Sequence, residues 1–265
     1  MCTVSWLHTP NGYHLLCNRD EHPKAKPALP PEIQDSSGMR FIAPIDIDSG
    51  GSWMAANEAG LSFSLINRNI CSRCNAEKQS KPSRGILLTA LSDSHSLEDT
   101  QRRFERLDLE PYLPFTMVVL APGASATLFH WTGRKSCIES DGDAAMPLIS
   151  SSLDPEGVAA YRKRLFVKLA TDRGTIDLKM LMDFHASHLP QPCAYSPCTH
   201  HENVTTVNFS RVTFKDGLIE FVYLPVAPCI WKMGAAGDSQ VAWKVVQMRV
   251  TDSRPKAISA TAGPV

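Results

Sequence analysis

Cys2 is the residue of this sequence that is best suited to covalent chemistry. A small residue after the initiator predicts removal of Met1, which would leave Cys2 with both a thiol and a free α-amine. The α-amine has a reference pKa of about 7.7–8.0 and the thiol about 8.5, so part of the amine can accept the thiol proton at neutral pH. Nucleophile and base then belong to one residue, which is the arrangement of an N-terminal nucleophile.

A predicted β-hairpin positions Cys2 at the beginning of a strand. Residues 3–8 are apolar and β-branched, residues 10–12 have turn chemistry, and residues 13–17 form the returning strand. The segment 20–50 contains five prolines, a residue type that is disfavoured in helix interiors and central strands. We therefore expect a long surface loop there.

The rest of the chain alternates groups of strands with pairs of helices. Strands are predicted at 52–56, 61–67, 115–121, 126–131, 205–214, 218–224 and 241–250, and helices at 86–91, 97–107, 158–169 and 176–188. Hairpin-joined strands with helices in pairs indicate an α+β fold rather than a parallel βαβ sheet. We expect a single domain over residues 1–252 and a flexible C-terminal tail over residues 253–265.

Composition and charge exclude several classes of protein. The 265 residues include 27 basic and 27 acidic side chains, without the basic surplus that is typical of nucleic-acid binding. No window approaches the roughly 20 apolar residues of a transmembrane segment. The start also lacks the apolar stretch of a signal peptide, so we expect a cytoplasmic protein with free thiols, and organelle targeting stays open.

Several short motifs accompany Cys2. They are Met1-Cys2-Thr3, Asn18-Arg19-Asp20-Glu21, Gly50-Gly51-Ser52-Trp53, Asn57-Glu58-Ala59-Gly60-Leu61, Leu65-Ile66-Asn67, and Ser151-Ser152 followed by Pro155, Val158, Arg162 and Phe166. In this combination the sequence resembles the NRDE family, also called the transport-and-Golgi-organisation family. The resemblance spans most of the chain.

The same residues are similar, more distantly, to cysteine N-terminal nucleophile (Ntn) hydrolases such as bile salt hydrolases and penicillin acyltransferases. Those enzymes begin with Met-Cys-Thr or Cys-Thr, and residues 18–20 and 57–61 match two of their later patterns. The resemblance implies an Ntn-hydrolase-like four-layer αββα sandwich of antiparallel sheets, with Cys2 in a cleft between loops.

The resemblance implies a catalytic role for three residues. Cys2 would attack an acyl carbon, and Asp20 would hold the α-amine or the thiol through a charge-assisted hydrogen bond. Asn67 would donate its side-chain amide to the developing oxyanion. Asn67 could instead cap a turn, and Asp20 could instead satisfy backbone donors in the following loop.

Four further residues are candidate substrate contacts by the same resemblance. Asn18 and Arg19 belong to the family motif, although Arg19 could equally form a structural ion pair with Glu21. Ser151 and Thr205 occupy positions at which the hydrolases carry an asparagine and an arginine. A serine can still donate one hydrogen bond, whereas Thr205 cannot supply a charge.

The eight cysteines raise the alternative of a zinc site. A Cys-x-x-Cys pair and a later group of thiols and imidazoles could form a tetrahedral set: Cys71, Cys74, Cys193, Cys198, His200 and His201. The two halves lie over 110 residues apart and the second has loose spacing. We favour unrelated thiols, and we predict neither a bound metal nor a catalytic cofactor.

Two functions follow from the resemblance. The first is a hydrolase or acyltransferase that acts through Cys2 on an amide or thioester of a small or lipid-like molecule. The alternative is a non-catalytic protein on the same fold that binds and traffics haem or acyl-CoA and other lipids, with haem as a transported ligand. A scaffold role in secretion would rest only on the family's name.

Overall fold

The computed structural model describes residues 2–68, 81–232 and 242–251. In chain order, the strands of these residues are β1 Cys2–Thr9, β2 Gly12–Glu21, β3 Leu29–Ser36, β4 Met39–Ile45, β5 Met54–Asn57, β6 Ser62–Asn67, β7 Phe115–Leu120, β8 Thr127–Trp131, β9 Ser136–Glu139, β10 Leu148–Ser150, β11 His200–His201, β12 Val204–Lys215, β13 Leu218–Leu224 and β14 Lys244–Arg249. The helices are α1 Arg84–Leu91, α2 Leu97–Glu105, α3 Pro155–Arg173 and α4 Leu178–His185, with 3₁₀ helices at Asp143–Ala145 and Pro228–Lys232.

The strands form two antiparallel sheets that pack face to face. The first sheet has the order β10-β1-β2-β12-β13-β14, with β11 paired to β12, and the second runs from β3 to β9 in chain order. Side chains alternate between the two faces of a strand, so each sheet buries one face against the other sheet and one against helices. Buried residues of both sheets, such as Val4 and Val118, form the central core.

Each outer face carries a pair of helices. Leu88 of α1 and Phe104 of α2 pack on the second sheet, and Phe166 of α3 and Phe184 of α4 pack on the first. The α+β fold with four αββα layers that the sequence predicts is therefore confirmed. Among the described helices, none has the length and apolar character that crossing a membrane requires.

The prediction of one long loop over residues 20–50 is wrong, because β3 and β4 form a hairpin there. The prolines are accommodated because β3 lies at the edge of its sheet. Pro30 and Pro31 fall where the register shifts between Leu29 and Glu32, and Pro44 lies beyond the two residues of β4 that pair with β5. The expected tail over residues 253–265 lies outside the described residues.

Asn57 fixes the turn between β5 and β6 to the segment that joins α1 and α2. Its side-chain NH₂ donates to the carbonyl oxygens of Ser92 (2.9 Å) and Ser94 (2.7 Å). Its side-chain oxygen accepts from the backbone N–H groups of Ala59 (3.1 Å) and Leu61 (3.0 Å). The fully buried amide thus uses its complete hydrogen-bonding capacity.

We predict that Asn57→Ala lowers the free energy of unfolding by about 2–4 kcal/mol, because it leaves buried carbonyl and N–H groups without partners. Urea denaturation followed by circular dichroism measures the change. Asn203→Ala, on an exposed loop residue, is the matched control and should change the free energy of unfolding little. Equal stability of the two variants would contradict the prediction.

Candidate active site

Cys2 begins β1 and is paired on both sides within the first sheet. Its register partners are Arg19 of β2 and Ser150 of β10. Directly opposed residues of antiparallel strands project to the same face, so these three side chains form a row. Val4, two residues along β1, lies in the central core, which places the Cys2 side chain on the face between the two sheets.

A cavity of about 560 Å³ lies beside Cys2, which is itself only 7% exposed. Its walls come from both sheets, from the loop that follows β4 and from the beginning of α1. Arg19 and Asn67 line the cavity together with Cys2. The structure thus brings three of the residues that the sequence analysis singled out to one site.

The thiols of Cys2 and Cys17 interact directly, which favours a thiolate at Cys2. A hydrogen bond from the Cys17 thiol lowers the pKa of Cys2, although burial acts in the opposite direction. The same hydrogen bond and burial raise the pKa of Cys17, which is fully buried in the central core. Because Cys2 borders the cavity, the negative charge is better solvated there than at Cys17.

Arg19 is held in the cavity wall by two carboxylates and one aromatic ring. Its guanidinium forms ion pairs with Asp46 and, at 3.3 Å, with Glu21. It also lies 4.4 Å from the centroid of the Trp53 ring, in cation–π geometry. The structural ion pair with Glu21 that the sequence suggested is therefore present, and both of its members also line the cavity.

Arg84 is a cavity residue that the sequence analysis missed. It is the first residue of α1, its guanidinium donates to the Pro114 carbonyl oxygen at 3.0 Å, and it forms no ion pair with any described residue. Burial lowers the pKa of Arg84 to about 10. The negative charges of Cys2 and Glu21 act in the opposite direction and raise this pKa. Arg84 is partly buried, and a partly buried cation without a carboxylate partner is stabilised when a ligand neutralises it.

Two glycines allow the beginning of α1 to form a wall of this cavity. A Cβ atom on Gly85 would lie 2.7 Å from the Ser52 carbonyl oxygen, and one on Gly51 would lie 2.5 Å from the Gly85 carbonyl carbon. The Ser52 N–H donates to the Gly85 carbonyl oxygen at 3.2 Å. Backbone therefore packs on backbone, which only glycine permits.

Asp20 lies on the opposite face of the first sheet from the Cys2 side chain, beneath α3. Its carboxylate accepts from the Thr206 hydroxyl (2.7 Å), from the Thr199 hydroxyl (3.3 Å) and from Arg162 (3.5 Å). Arg162 also donates to the Thr3 hydroxyl at 2.6 Å, and the Asp20 and Arg162 side chains are only 1% and 2% exposed. Burial raises the pKa of Asp20, opposed by Arg162.

Asn18 lies beside Asp20 and binds α4 rather than the cavity. Its NH₂ donates to the carbonyl oxygens of His185 and Pro197, both at 2.9 Å. The Asn18 oxygen therefore accepts from Nδ1–H of His185 (3.0 Å), and Nε2 of His185 accepts from the Ser5 hydroxyl (2.8 Å). Burial and the charge of Arg162 lower the pKa of His185 to about 3, so the ring is neutral.

Ser151 and Thr205 lie outside the set of residues that line the cavity. The Ser151 hydroxyl donates to the Leu153 carbonyl oxygen at 2.6 Å, and the Thr205 hydroxyl donates to the Thr199 carbonyl oxygen at 3.1 Å. Ser150 is the serine in register with Cys2, and its buried hydroxyl has no hydrogen-bond partner among the described residues.

The cysteines and histidines considered for a zinc site separate in the structure. Cys71 and Cys74 lie outside the described residues. Cys198 and His200 come together with two residues that the sequence analysis did not include, His188 and Cys229.

The chain is similar in sequence to one known protein family and in fold to several solved structures. Residues 1–177 match the family described as Transport and Golgi organisation 2. None of the curated proteins shows significant sequence similarity to the chain.

Several solved structures have a similar fold. Penicillin V acylase from Agrobacterium tumefaciens is 11% identical over 95% of this chain and 87% of its own, with a TM-score of 0.50. The C2A mutant of the conjugated bile acid hydrolase from Clostridium perfringens is 12% identical over 94% and 92%, with a TM-score of 0.52. The Caenorhabditis elegans orthologue of N-acylethanolamine-hydrolyzing acid amidase is 11% identical over 80% and 92%, with a TM-score of 0.55. At such identities the similarity establishes the fold alone, and it confirms the Ntn-hydrolase-like architecture.

The neutral, buried His185 predicts a loss of stability in acid. In the unfolded chain a histidine takes up a proton below about pH 6.5, whereas the folded ring stays neutral down to a pKa of about 3. The unfolded state thus binds more protons between these values. The contribution of His185 is complete above about pH 6.5 and falls by about 1.4 kcal/mol for each unit towards pH 3.

Urea denaturation at about pH 7, 6, 5 and 4 measures the slope of the unfolding free energy against pH across this window. We expect a steeper acid loss of unfolding free energy in the wild type than in His185→Gln. His95→Gln, on an exposed histidine, should keep the wild-type slope. Parallel curves for the wild type and His185→Gln would contradict the assignment.

Proposed function

The chain belongs to the Transport and Golgi organisation 2 family, and from the site around Cys2 we propose that it is a cysteine Ntn hydrolase or acyltransferase. The observation that carries the proposal is the Cys2 thiol in the wall of a cavity of about 560 Å³, with its pKa lowered by the Cys17 thiol. A stabilised thiolate beside a ligand-sized space is the arrangement that nucleophilic catalysis by cysteine requires. The reaction class is cleavage of an amide or a thioester.

The proposed reaction begins after Met1 has been removed. The α-amine of Cys2 accepts the thiol proton, and the sulfur attacks the acyl carbon of the substrate. Asp20 is one residue beyond Arg19, the β2 register partner of Cys2, so it lies near the end of β1 at which the amine would be. The Asp20 carboxylate holds that amine by charge. The α-ammonium group then returns its proton to the leaving amine or thiol as the acyl–Cys2 thioester forms.

The second half of the reaction releases the acyl group. Water, or an acceptor amine, loses a proton to the α-amine and attacks the thioester, and the Cys2 thiol leaves. In both halves a negative charge develops on the acyl oxygen, and the Asn67 amide in the cavity wall is the proposed donor to it.

Trp53 is a second candidate donor to the substrate. It lines the cavity while being 6% exposed, and its indole N–H is buried without an acceptor among the described residues. A buried donor without a partner is costly, and a substrate carbonyl would satisfy it. Trp53 would thus serve both as part of the core and as a substrate contact.

The substrate is proposed to carry an anionic group. Arg84 offers a guanidinium that forms no ion pair with a described carboxylate, and Lys81 lies in the same cavity wall. Arg19, in contrast, is already paired with Asp46 and Glu21. A guanidinium matches carboxylate or phosphate oxygens with two parallel hydrogen bonds. Among acyl compounds this favours those with a carboxylate or phosphate at a fixed distance from the scissile bond.

The same cation supports a second candidate function, in which the cavity only binds its ligand. Haem and acyl-CoA, the ligands that the family resemblance suggested, both carry anionic groups that Arg84 could contact. The positions of Ser151 and Thr205 outside the cavity also leave fewer polar groups for catalysis. The cytoplasmic location expected from the sequence stays a prediction.

The proposal predicts selective acylation of Cys2. Incubation with an acyl thioester near neutral pH, followed by peptide mass spectrometry, should modify Cys2 ahead of the other thiols, and an intact mass should show loss of Met1. Cys2→Ala should remove the modification, and Cys137→Ser, on an exposed thiol, should preserve it. Uniform modification of the cysteines would overturn the enzymatic proposal. Tight binding of haem or acyl-CoA that survives Cys2→Ala without turnover would establish the binding alternative.

Arg84 is predicted to select the anionic substrate. Two acyl thioesters that differ only by a carboxylate should acylate Cys2 at different rates, with the anionic one faster. We expect Arg84→Met to reduce this preference by roughly 10-fold or more, the loss of a charged hydrogen bond worth about 1.5–3 kcal/mol. Arg134→Met, on an exposed arginine, is the matched control. An unchanged preference in Arg84→Met would contradict the assignment.

A further inference from the structure

Four potential metal ligands converge near one end of the first sheet, outside the cavity that contains Cys2. His188 follows α4, and Cys198 lies two residues before His200, the first residue of β11. Cys229 lies in the 3₁₀ helix Pro228–Lys232. One donor atom from each of the four lies within 4.8 Å of all the others. We propose that these residues form a structural zinc site of the Cys₂His₂ type.

The distances match a tetrahedral zinc ion. With Zn–S bonds of about 2.3 Å and Zn–N bonds of about 2.0–2.1 Å, the donor atoms of a tetrahedron lie roughly 3.3–3.8 Å apart. The Nε2 atom of His200 lies 3.5 Å from the sulfur of Cys198 and 3.5 Å from the sulfur of Cys229. Both separations fall inside this range.

His188 supplies an independent observation. Its Nε2 atom is buried and has no hydrogen-bond partner among the described residues. Its ring packs edge to face on His200, with centroids 4.9 Å apart. A buried imidazole nitrogen without a partner carries a desolvation cost, and coordination to a metal would remove that cost.

The donor set selects zinc and a structural role. Two thiolates with two imidazoles in a tetrahedron are typical ligands of zinc. Four protein ligands leave no open position for water or substrate, which distinguishes structural sites from catalytic ones. A disulfide between Cys198 and Cys229 is the competing arrangement, but it would leave both histidines without the thiolates that they face.

The site would hold three segments together. The loop after α4 is tied to itself by the Cys198 N–H, which donates to the Ser187 carbonyl oxygen at 3.0 Å. Between the ligands Cys198 and His200 lies Thr199, whose hydroxyl contacts Asp20 and Arg162. A metal at this point would therefore fix one side of the buried ion pair beneath Cys2.

The proposed ligands differ from those considered from the sequence. Cys198 and His200 are common to both sets, whereas the Cys193 sulfur accepts from the Tyr195 N–H and His201 follows His200 on β11. Adjacent residues of a strand project to opposite faces. All four proposed ligands lie beyond residues 1–177, which match the family, so the site is a feature of this chain's later part.

Metal analysis of the full chain tests the proposal. Protein purified under reducing conditions should contain about one zinc ion per chain by elemental mass spectrometry. After removal of zinc by a chelator, Co²⁺ should bind and give the intense visible absorption of a tetrahedral thiolate complex. Both measurements use the wild-type chain, so they remain decisive if a ligand variant fails to fold.

Matched variants identify the ligands. Cys229→Ser and His188→Ala should lose most of the zinc and unfold at lower temperature, whereas His201→Ala and Cys193→Ser should retain it. Wild-type protein that binds neither zinc nor Co²⁺, or that contains a Cys198–Cys229 disulfide, would overturn the proposal. Loss of zinc in His201→Ala would overturn this ligand set. Because Cys2→Ala should keep its zinc, failure of the acylation test leaves this result unaffected.

Discussion

The buried ion pair between Asp20 and Arg162 is the interaction on which the active-site end of the first sheet depends. Arg162 reaches from α3 through the helix layer and contacts Thr3 of β1 as well as Asp20 of β2. It thus fixes the two strands that carry Cys2 and its neighbours. Loss of one partner of such a pair leaves a charge buried without compensation, typically at a cost of about 3–5 kcal/mol. The hydroxyls of Thr199 and Thr206 complete the solvation that water would otherwise provide.

Strand alternation divides the site into a reacting face and a supporting face. Cys2, Cys17 and Arg19 project between the sheets, where the cavity lies, whereas Asn18 and Asp20 project towards α3 and α4. The Asp20 carboxylate, one residue beyond the register partner of Cys2, therefore belongs to a buried, hydrogen-bonded polar layer behind the sheet. The neutral His185 belongs to that layer, and its neutrality follows first from burial and second from the adjacent cation of Arg162.

Local patterns in the sequence predicted much of the fold and the position of Cys2 at the beginning of a strand. The hairpin that carries Cys2 and the layered α+β arrangement depend on residues close in sequence. The hairpin within residues 20–50 was not predicted, because prolines are tolerated in an edge strand and no local pattern shows that β3 lies at the edge of its sheet. The role of Arg84 and the complete Cys–His cluster could not be predicted from local patterns. Packing between distant segments brings Arg84 to the cavity and places Cys229, 29 residues after His200, beside that histidine.

The close packing of Gly51 on Gly85 has a consequence for how selectivity can change. Where Gly51 packs on Gly85 the cavity is bounded by main chain, so neither position has a side chain that could be shortened to enlarge the space. Adaptation to a bulkier acyl compound must instead occur across the cavity, at side chains such as Leu65, Leu113 or Trp53. The main-chain contact between Gly51 and Gly85 therefore limits the size of the ligand that the cavity can hold on that side.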